Sequence, residues 1–490
     1  MKKLASILLI LAFVVALSAC SGKKTDDIPK GDKELNKYSI EIDLEDNLLS
    51  ARLKTSLSYT NNTGGELNEL KFHIYPETYR KDSATCAFFS KLSAYGGIDI
   101  LSVAANDALT DFEAQGTILT VKLPSPLPGG EKVTISIDSG LSVPKSDLRF
   151  GLNSNVLRLA NFYPVICVYE GSDWRADKYY KVGNPFYTDI ADYEVKLTCP
   201  ENLVVASTGV CKSEGAEGGR KTLILEATSV RDFAIAASKD FKVAERVQGG
   251  KVVKYYYTGL ASRQTELETA AKALEAFSEA FGGYPYPAFT VVEAEFYYGS
   301  AGFGNLAIIS KSSSDKKKAI VLETAAQWFG GIVGSDQVNS CWQHGALSAF
   351  LSRYHYYLIG DKPEYERQRG LDKSEYTGFQ AARQKDKPEY DYSINKNVYK
   401  YATNYEYWML IYKKGGLMFD ACLDVLGKDK MNKALKTYVE AFAFKNPNPA
   451  EMLGVFDKAS KQSVSRVIEP WLTGNIVIAG IMETPAETVS

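Results

Sequence analysis

The sequence predicts a multidomain α+β protein, in which an N-terminal antiparallel β sandwich or saddle domain is followed by an α-rich domain. Three observations support this prediction. Apolar and polar residues alternate in the first half of the chain, the apolar spacing changes to a helical period after about residue 251, and the length of 490 residues suits about three structural units.

The first domain is assigned to residues 37–244. Tyr38–Leu44 alternates apolar and polar side chains, as expected of a strand with one buried face. Many short strands joined by short connections favour an antiparallel architecture. Turn-forming clusters rich in Gly, Asn or Pro separate these segments and occupy residues 61–65, 128–130 and 215–219.

The α-rich domain is assigned to residues 245–480, and a tail to residues 481–490. Residues 265–281 carry apolar side chains at helical spacing, and Thr265 with Glu268 suits a capping box at the start of this helix. A strand is expected at 289–295, and further helices at 318–332, 345–358, 414–426, 430–443 and 449–461.

The composition excludes one class of function and restricts another. The 57 Lys and Arg residues are balanced by 59 Asp and Glu residues, so a nucleic-acid-binding role has no electrostatic support. The chain has only three histidines, His73, His344 and His355. Because a zinc hydrolase normally uses two or three histidines as ligands, nearly all of them would have to converge on one ion.

Residues 1–19 are predicted to be a lipoprotein signal peptide. Two lysines precede a short apolar run, and Leu17–Cys20 (LSAC) resembles a bacterial lipoprotein cleavage site. The resemblance implies a lipid on Cys20, a polar tether over residues 20–36, and a protein anchored at the extracytoplasmic face of the cell membrane. The alternative is an ordinary secretory signal in which the cysteine occurs by chance.

Residues 322–330, with the sequence LETAAQWFG, resemble the HExxH helix and the following QWFG of the aminopeptidase N family of zinc metallopeptidases. Tyr412–Gly415 (YKKG) resembles the YEKG segment of that family, and Phe72–Pro76 (FHIYP) resembles an FHLYP strand of its bacterial members. The resemblance covers nearly all of the chain after the signal peptide. It implies a thermolysin-like fold for the α-rich domain.

The resemblance also implies functions for residues that the chain retains. Glu323 stands where the family has the general base that activates zinc-bound water, and Tyr412 stands where a tyrosine stabilises the tetrahedral intermediate. The family binds the α-amine of its substrate with a loop whose carboxylate position here is Gly304. The residues of this substrate-amine loop are Gly302, Phe303, Gly304 and Asn305.

The three zinc-ligand positions implied by the resemblance are degenerate, and are occupied by Leu322, Ala326 and Gly345. None of these side chains binds a metal, and three protein ligands are the usual minimum for a catalytic zinc. We therefore expect no zinc cofactor, although the family uses zinc. An alternative metal site, in which Cys341 and His344 act together with Glu323, is left open.

Aromatic residues are concentrated in two segments that border the expected cleft. Tyrosine combines an apolar ring with a polar tip and suits binding surfaces, so we expect a cleft that holds a peptide or a glycan without cutting it. The alternative is a layer of tyrosines used only for packing or for protein contact. The cleft aromatics are Tyr297, Tyr298, Tyr405, Tyr407 and Trp408.

Together these patterns favour a membrane-anchored, aminopeptidase-like protein that is catalytically inactive, with Glu323 and Tyr412 as vestiges of the family's chemistry. Its expected partners are a peptide ligand or another protein of the cell envelope. Two alternatives stay open. The first is an active metallo-aminopeptidase with an atypical metal site, and the second is a structural subunit of a membrane complex.

Overall fold

The structure is a computed structural model that describes residues 28–29, 34–83, 92–474 and 476. It confirms a β-rich N-terminal region followed by a helical domain. The predicted signal peptide, Cys20, most of the tether and the tail at 481–490 lie outside the described residues.

The first region contains eighteen of the described strands. They are β1 (Asn36–Leu44), β2 (Ser50–Thr60), β3 (Leu67–His73), β4 (Gly97–Ala105), β5 (Ala108–Leu109), β6 (Phe112–Gln115), β7 (Ile118–Leu127), β8 (Lys132–Ser142), β9 (Phe150–Asn153), β10 (Val156–Leu159), β11 (Val165–Ile166), β12 (Tyr169–Glu170), β13 (Asp173–Trp174), β14 (Ala191–Pro200), β15 (Val204–Ser207), β16 (Val210–Glu217), β17 (Arg220–Val230) and β18 (Ile235–Ser238). The largest sheet has the order β16-β17-β14-β1-β2-β8-β4-β5, and two four-stranded sheets have the orders β15-β18-β10-β9 and β11-β3-β7-β6.

Strand β1 follows the predicted alternation, since Ile40, Ile42 and Leu44 are buried while the residues between them are exposed. It pairs antiparallel with β2 and parallel with β14, with Ile40 opposite Val195. The parallel pair departs from the purely antiparallel sheet that the sequence predicted. The two strands are far apart in the chain, so their pairing leaves no local pattern in the sequence.

The second region begins with a mixed five-stranded sheet in the order β19-β20-β21-β23-β22. Its strands are β19 (Lys242–Gln248), β20 (Lys251–Tyr257), β21 (Ala288–Ala294), β22 (Ser300–Phe303) and β23 (Leu306–Ser310). Strands β20, β21 and β23 are parallel, and the edge strands β19 and β22 are antiparallel to their neighbours. The boundary drawn at 244/245 falls inside β19, so this sheet includes residues that the sequence assigned to the first domain.

Nine helices of the second region lie in the described part of the chain. They are α1 (Gln264–Phe281), α2 (Lys316–Ala326), α3 (Cys341–Leu358), α4 (Lys362–Asp386), α5 (Asn404–Tyr407), α6 (Gly415–Leu426), α7 (Lys428–Phe442), α8 (Pro449–Ser460) and α9 (Val464–Leu472), and a π-helical turn, Trp408–Lys414, joins α5 to α6. Within the described residues, no helix combines the length and the hydropathy that crossing a bilayer requires.

Three details of the helix prediction were wrong. Helix α1 begins at Gln264 after Arg263, which makes no side-chain cap, so Thr265 and Glu268 do not form a capping box. Helix α2 ends at Ala326, before a Gly330-Gly331 pair that disfavours helix. Helices α4, α5 and α9 were not predicted. The 25 residues of α4 are mostly charged or polar and bury few side chains, so they carry no clear apolar period.

Arg231, directly after β17, joins the two regions. Its Nε donates to Gly331 O at 2.8 Å, and its Nη2 donates to Lys445 O at 2.7 Å, both in the second region. Its Nη1 donates to Thr188 O at 2.8 Å in the first region, and also to Asn446 Oδ1. A single buried guanidinium therefore satisfies carbonyls on both sides of the junction.

We expect Arg231→Met to lower the free energy of unfolding by about 3 kcal/mol, since it leaves several buried carbonyls without a donor. Chemical denaturation of the purified variant and wild type measures the change. Arg52→Met serves as the matched control, because Arg52 is an exposed arginine paired only with Asp138. Equal destabilisation by both substitutions would contradict a special role of Arg231.

Candidate functional site

A cavity of about 460 Å³ lies between the two regions. This volume suits a small ligand or a short peptide. Both regions contribute to its wall. The first region provides Arg149, Asn184, Phe186 and Asp232, and the second provides residues 297–298 and 300–304, Leu322, Glu323, Ala326, His344, Tyr405, Tyr407, Trp408 and Tyr412.

The positions expected to carry zinc ligands are occupied by residues that cannot bind the ion. Leu322 and Ala326 are one turn apart on α2, and both are buried side chains of the cavity wall. At Gly345, on α3, a Cβ atom would stand 2.5 Å from Ile411 Cγ2, so the packing closes the space for any side chain. The residues present at these three positions do not fit zinc.

The alternative metal donors do not converge in the described residues. Cys341 Sγ is buried and donates to Gln337 O at 3.2 Å. His344 Nδ1 lies 2.6 Å from Phe329 O, and burial lowers the pKa of this imidazole. Among the residues that the structure describes, no three His, Cys, Asp or Glu side chains come together as a metal site.

Glu323 faces the cavity from α2, where its side chain is only 5% exposed. Its Oε1 accepts a hydrogen bond of 2.6 Å from Ser300 Oγ. A Cβ atom on Gly302 would stand 2.7 Å from Oε2 of Glu323, so any side chain at position 302 would collide with the carboxyl group. Burial raises the pKa of Glu323 to about 7, and the Ser300 hydrogen bond and the charge of Arg149 oppose that rise.

The expected substrate-amine loop forms strand β22 and the turn into β23. Gln327, on the turn after α2, fixes this loop, because its Oε1 accepts from Asn305 N at 3.0 Å and its Nε2 donates to Phe303 O at 3.1 Å. At Gly304, the carboxylate position, an added Cβ atom would stand 3.1 Å from Val230 Cβ and 3.1 Å from the backbone oxygen of Asp232. The loop therefore brings no carboxyl group to the cavity.

Asp232 supplies a carboxyl group beside this loop, and the sequence prediction did not include it in the site. Its Oδ1 accepts from Gly304 N at 2.7 Å. Burial raises the pKa of Asp232 to about 6, while this backbone hydrogen bond and the charge of Arg231 oppose the rise. The contact joins residues 72 positions apart, and no local motif indicates it.

Tyr412 lies in the π-helical turn, a feature that is frequent at functional sites. Its ring stacks on Trp408 with centroids 4.5 Å apart, and its hydroxyl accepts a long hydrogen bond of 3.5 Å from Asn184 Nδ2. Burial raises the pKa of Tyr412, and the nearby charge of Glu323 acts in the same direction. Tyr412 and Glu323 therefore line the same cavity, as expected from the sequence.

The predicted cleft aromatics divide into two groups. Tyr297, Tyr405 and Trp408 are 58%, 57% and 37% exposed and form the accessible rim of the cavity. Tyr407 is only 4% exposed, and it packs so closely against Gly183 that a Cβ atom there would lie 2.7 Å from the ring. Tyr298 forms part of the inner wall beneath Arg149.

Comparisons with known proteins relate this chain to aminopeptidases. Residues 265–471 match the peptidase family M1 domain. Aminopeptidases M1-A and M1-B of Oryza sativa subsp. japonica are each 22% identical to this chain, over 303 and 305 residues that cover 57% of this chain and 34% of each relative. The chain thus spans about a third of the length of the curated relatives it matches.

Solved structures share this fold over 94% of the chain, a longer stretch than the curated relatives match. An M1 zinc metallopeptidase from Deinococcus radiodurans matches with a TM-score of 0.68 at 14% identity, covering 94% of this chain and 96% of that one. A mutant M1 zinc metallopeptidase from the same organism, bound to a Tyr-Ser-Ala substrate, has the same TM-score, identity and coverage. At this level of identity, the likeness concerns the fold alone.

We expect the stability of the protein to fall as the pH rises from about 4.5 to about 7, through the ionisation of Glu323. The carboxyl group binds its proton more tightly in the folded state, so the stabilising contribution is complete below a pH of about 4.5 and is lost above about 7. Over this window the advantage of Glu323→Gln over the wild type should grow by about 3 kcal/mol.

Chemical denaturation at a series of pH values measures this difference. Glu275→Gln, an exposed substitution on α1, provides the matched control and should keep the pH dependence of the wild type. Parallel pH profiles of Glu323→Gln and the wild type would show that Glu323 ionises normally in the cavity.

Proposed function

We propose that this chain, which belongs to the aminopeptidase N-type peptidase family M1, is a catalytically inactive, membrane-anchored member that binds peptides in its cavity. The M1 domain match and the shared fold support the aminopeptidase-like character. Inactivity, peptide binding and lipid anchoring are proposals drawn from the chain's own residues.

The replacement of the metal ligands around a preserved cavity carries the proposal. Leu322, Ala326 and Gly345 offer no donor atom, and Ile411 occupies the space that a side chain at position 345 would need. The cavity nevertheless keeps about 460 Å³ and an aromatic rim. An open cavity whose wall lacks zinc-ligand side chains at these positions favours the binding of a peptide over its hydrolysis, because the family's chemistry depends on a metal-activated water.

The retained polar residues suit recognition. With a pKa of about 7, the Glu323 carboxyl is largely protonated in mildly acidic solution and can then donate a hydrogen bond as well as accept one. The Tyr412 hydroxyl stays protonated because burial raises its pKa, and it offers a second donor. Both groups can contact the carbonyl groups of a bound peptide without any change of covalent bonds.

Lipid attachment at Cys20 would hold this cavity near the membrane surface. The first described strand, β1, begins at Asn36, a short distance along the sequence from Cys20. The short apolar run before Cys20 supports a cleaved signal. An envelope protein as partner is compatible with this placement, but the cavity favours a small ligand.

We expect purified protein to retain far less than one zinc per chain after incubation with zinc and desalting, as measured by elemental mass spectrometry. Glu323→Gln should give the same value as the wild type. The M1 zinc metallopeptidase from Deinococcus radiodurans, taken through the same incubation and desalting, is the positive control.

Stoichiometric zinc in the wild type would contradict the proposal. If the bound zinc were then lost in Cys341→Ser or His344→Ala, these residues would be ligands of an atypical metal site. An active metallo-aminopeptidase would in that case be the better proposal.

We expect Tyr-Ser-Ala, the substrate seen with the Deinococcus protein, to bind this chain and to be recovered uncut. Removing two of the three accessible rim aromatics in Tyr405→Ala/Trp408→Ala should weaken binding by about tenfold or more, since aromatic anchors dominate such surfaces. Tyr407 is left unchanged because it supports the fold.

Isothermal titration calorimetry measures the affinity, and mass spectrometry checks that the peptide stays intact. Tyr95→Ala, an exposed tyrosine away from the cavity, is the matched control and should bind like the wild type. Equal affinity of the double variant and the wild type would exclude the rim as the binding surface.

A further inference from the structure

Arg149 has an unused hydrogen-bond donor at the wall of the cavity. The side chain is 5% exposed and is held by Nη2, which donates to Gly183 O at 3.3 Å and also to Asn184 Oδ1. Its Nη1 is buried and has no hydrogen-bond partner among the described residues. No ion pair with a described residue involves Arg149.

Other buried arginines near the junction are saturated by protein acceptors. Arg231, also at the cavity wall, gives all three of its nitrogens to carbonyl or amide oxygens. Arg158 donates from Nε to Leu148 O at 2.9 Å and from Nη1 to Val156 O at 3.2 Å, and its Nη2 binds Ser146 O. Arg353 Nε and Arg175 Nε also have no hydrogen-bond partner among the described residues, but both of these guanidinium groups form ion pairs with carboxylates. Arg149 differs from them because it combines an unpartnered nitrogen with the absence of an ion pair to a described residue.

Aromatic rings fix the guanidinium of Arg149 in place. Its Cζ lies 3.9 Å from the centroid of Tyr298 and 5.5 Å from that of Phe186, and both rings belong to the cavity wall. Stacking of this kind covers the face of a guanidinium and leaves its edge for hydrogen bonds. The group is thus held in position before any ligand arrives.

We propose that Arg149 anchors a carboxylate group of the ligand, so that the cavity selects peptides by a negatively charged end or side chain. This inference rests on the proposed peptide binding and names the chemical class that the site recognises. The guanidinium of Arg149 would donate hydrogen bonds to the carboxylate from the cavity wall, beside Asn184 and the Tyr298 ring.

A carboxylate is the ligand group that best matches the buried guanidinium of Arg149. A buried cation without an anion is costly, and carbonyl and amide oxygens supply only partial compensation. Glu323 is close enough for its ionisation to depend on the charge of Arg149, but the two side chains do not form an ion pair. A ligand carboxylate would provide both the missing acceptor and the missing charge.

The test compares three peptides with purified wild type and with Arg149→Met by calorimetry. Tyr-Ser-Ala has a free C-terminal carboxylate, its C-terminal amide has none, and Tyr-Asp-Ala amide carries the carboxylate on a side chain. We expect one of the two carboxylate peptides to bind the wild type about tenfold or more better than Tyr-Ser-Ala amide. Which of them does so identifies the source of the carboxylate.

The preference for the carboxylate peptide over Tyr-Ser-Ala amide should vanish in Arg149→Met, and an unfolding temperature close to that of the wild type shows that the variant is folded. Arg149→Lys keeps the charge without the planar group and should retain part of the preference. Equal binding of all three peptides by the wild type, or a preference that survives in Arg149→Met, would overturn the inference while leaving peptide binding in place. Absence of binding for every peptide would overturn both proposals.

Discussion

The burial of helix α2 is the constraint on which the rest of the site depends. Every residue from Ile320 to Ala326 is buried, so any ionisable group on this helix has to find compensation within the protein. In a metal centre the ion would provide that compensation for Glu323. Here a serine hydroxyl and a more distant arginine provide it only in part, and the carboxyl responds by holding its proton to near-neutral pH.

The same burial suits the small or apolar residues at the positions where the resemblance implies zinc ligands. Leu322 and Ala326 add no polar atom to this buried wall, and Gly345 allows Ile411 to pack against α3. Helix α2 therefore packs in the fold through apolar contacts, and the fold by itself does not establish a metal-dependent chemistry.

The cavity exists because two regions meet across it. Arg231 joins them through backbone carbonyls, and the contact of Gly183 with Tyr407 brings the loop that carries Asn184 close to the π-helical turn. That loop positions both Arg149 and the hydroxyl of Tyr412. The first region thus forms part of the cavity wall, and a ligand in the cavity would contact both halves of the molecule.

The sequence by itself determined the fold class, the β-to-α order of the two regions, most helix positions, and the resemblance that points to positions 322, 326 and 345. These features depend on local periodicity or on a continuous motif. The parallel pairing of β1 with β14, the polar helix α4 and the inclusion of Arg149, Asp232 and Ser300 in the site were decided only by the tertiary structure. The physical reason is that the charge state and the free hydrogen bonds of a buried side chain depend on neighbours from distant parts of the chain. Such neighbours leave no pattern in the residues around it.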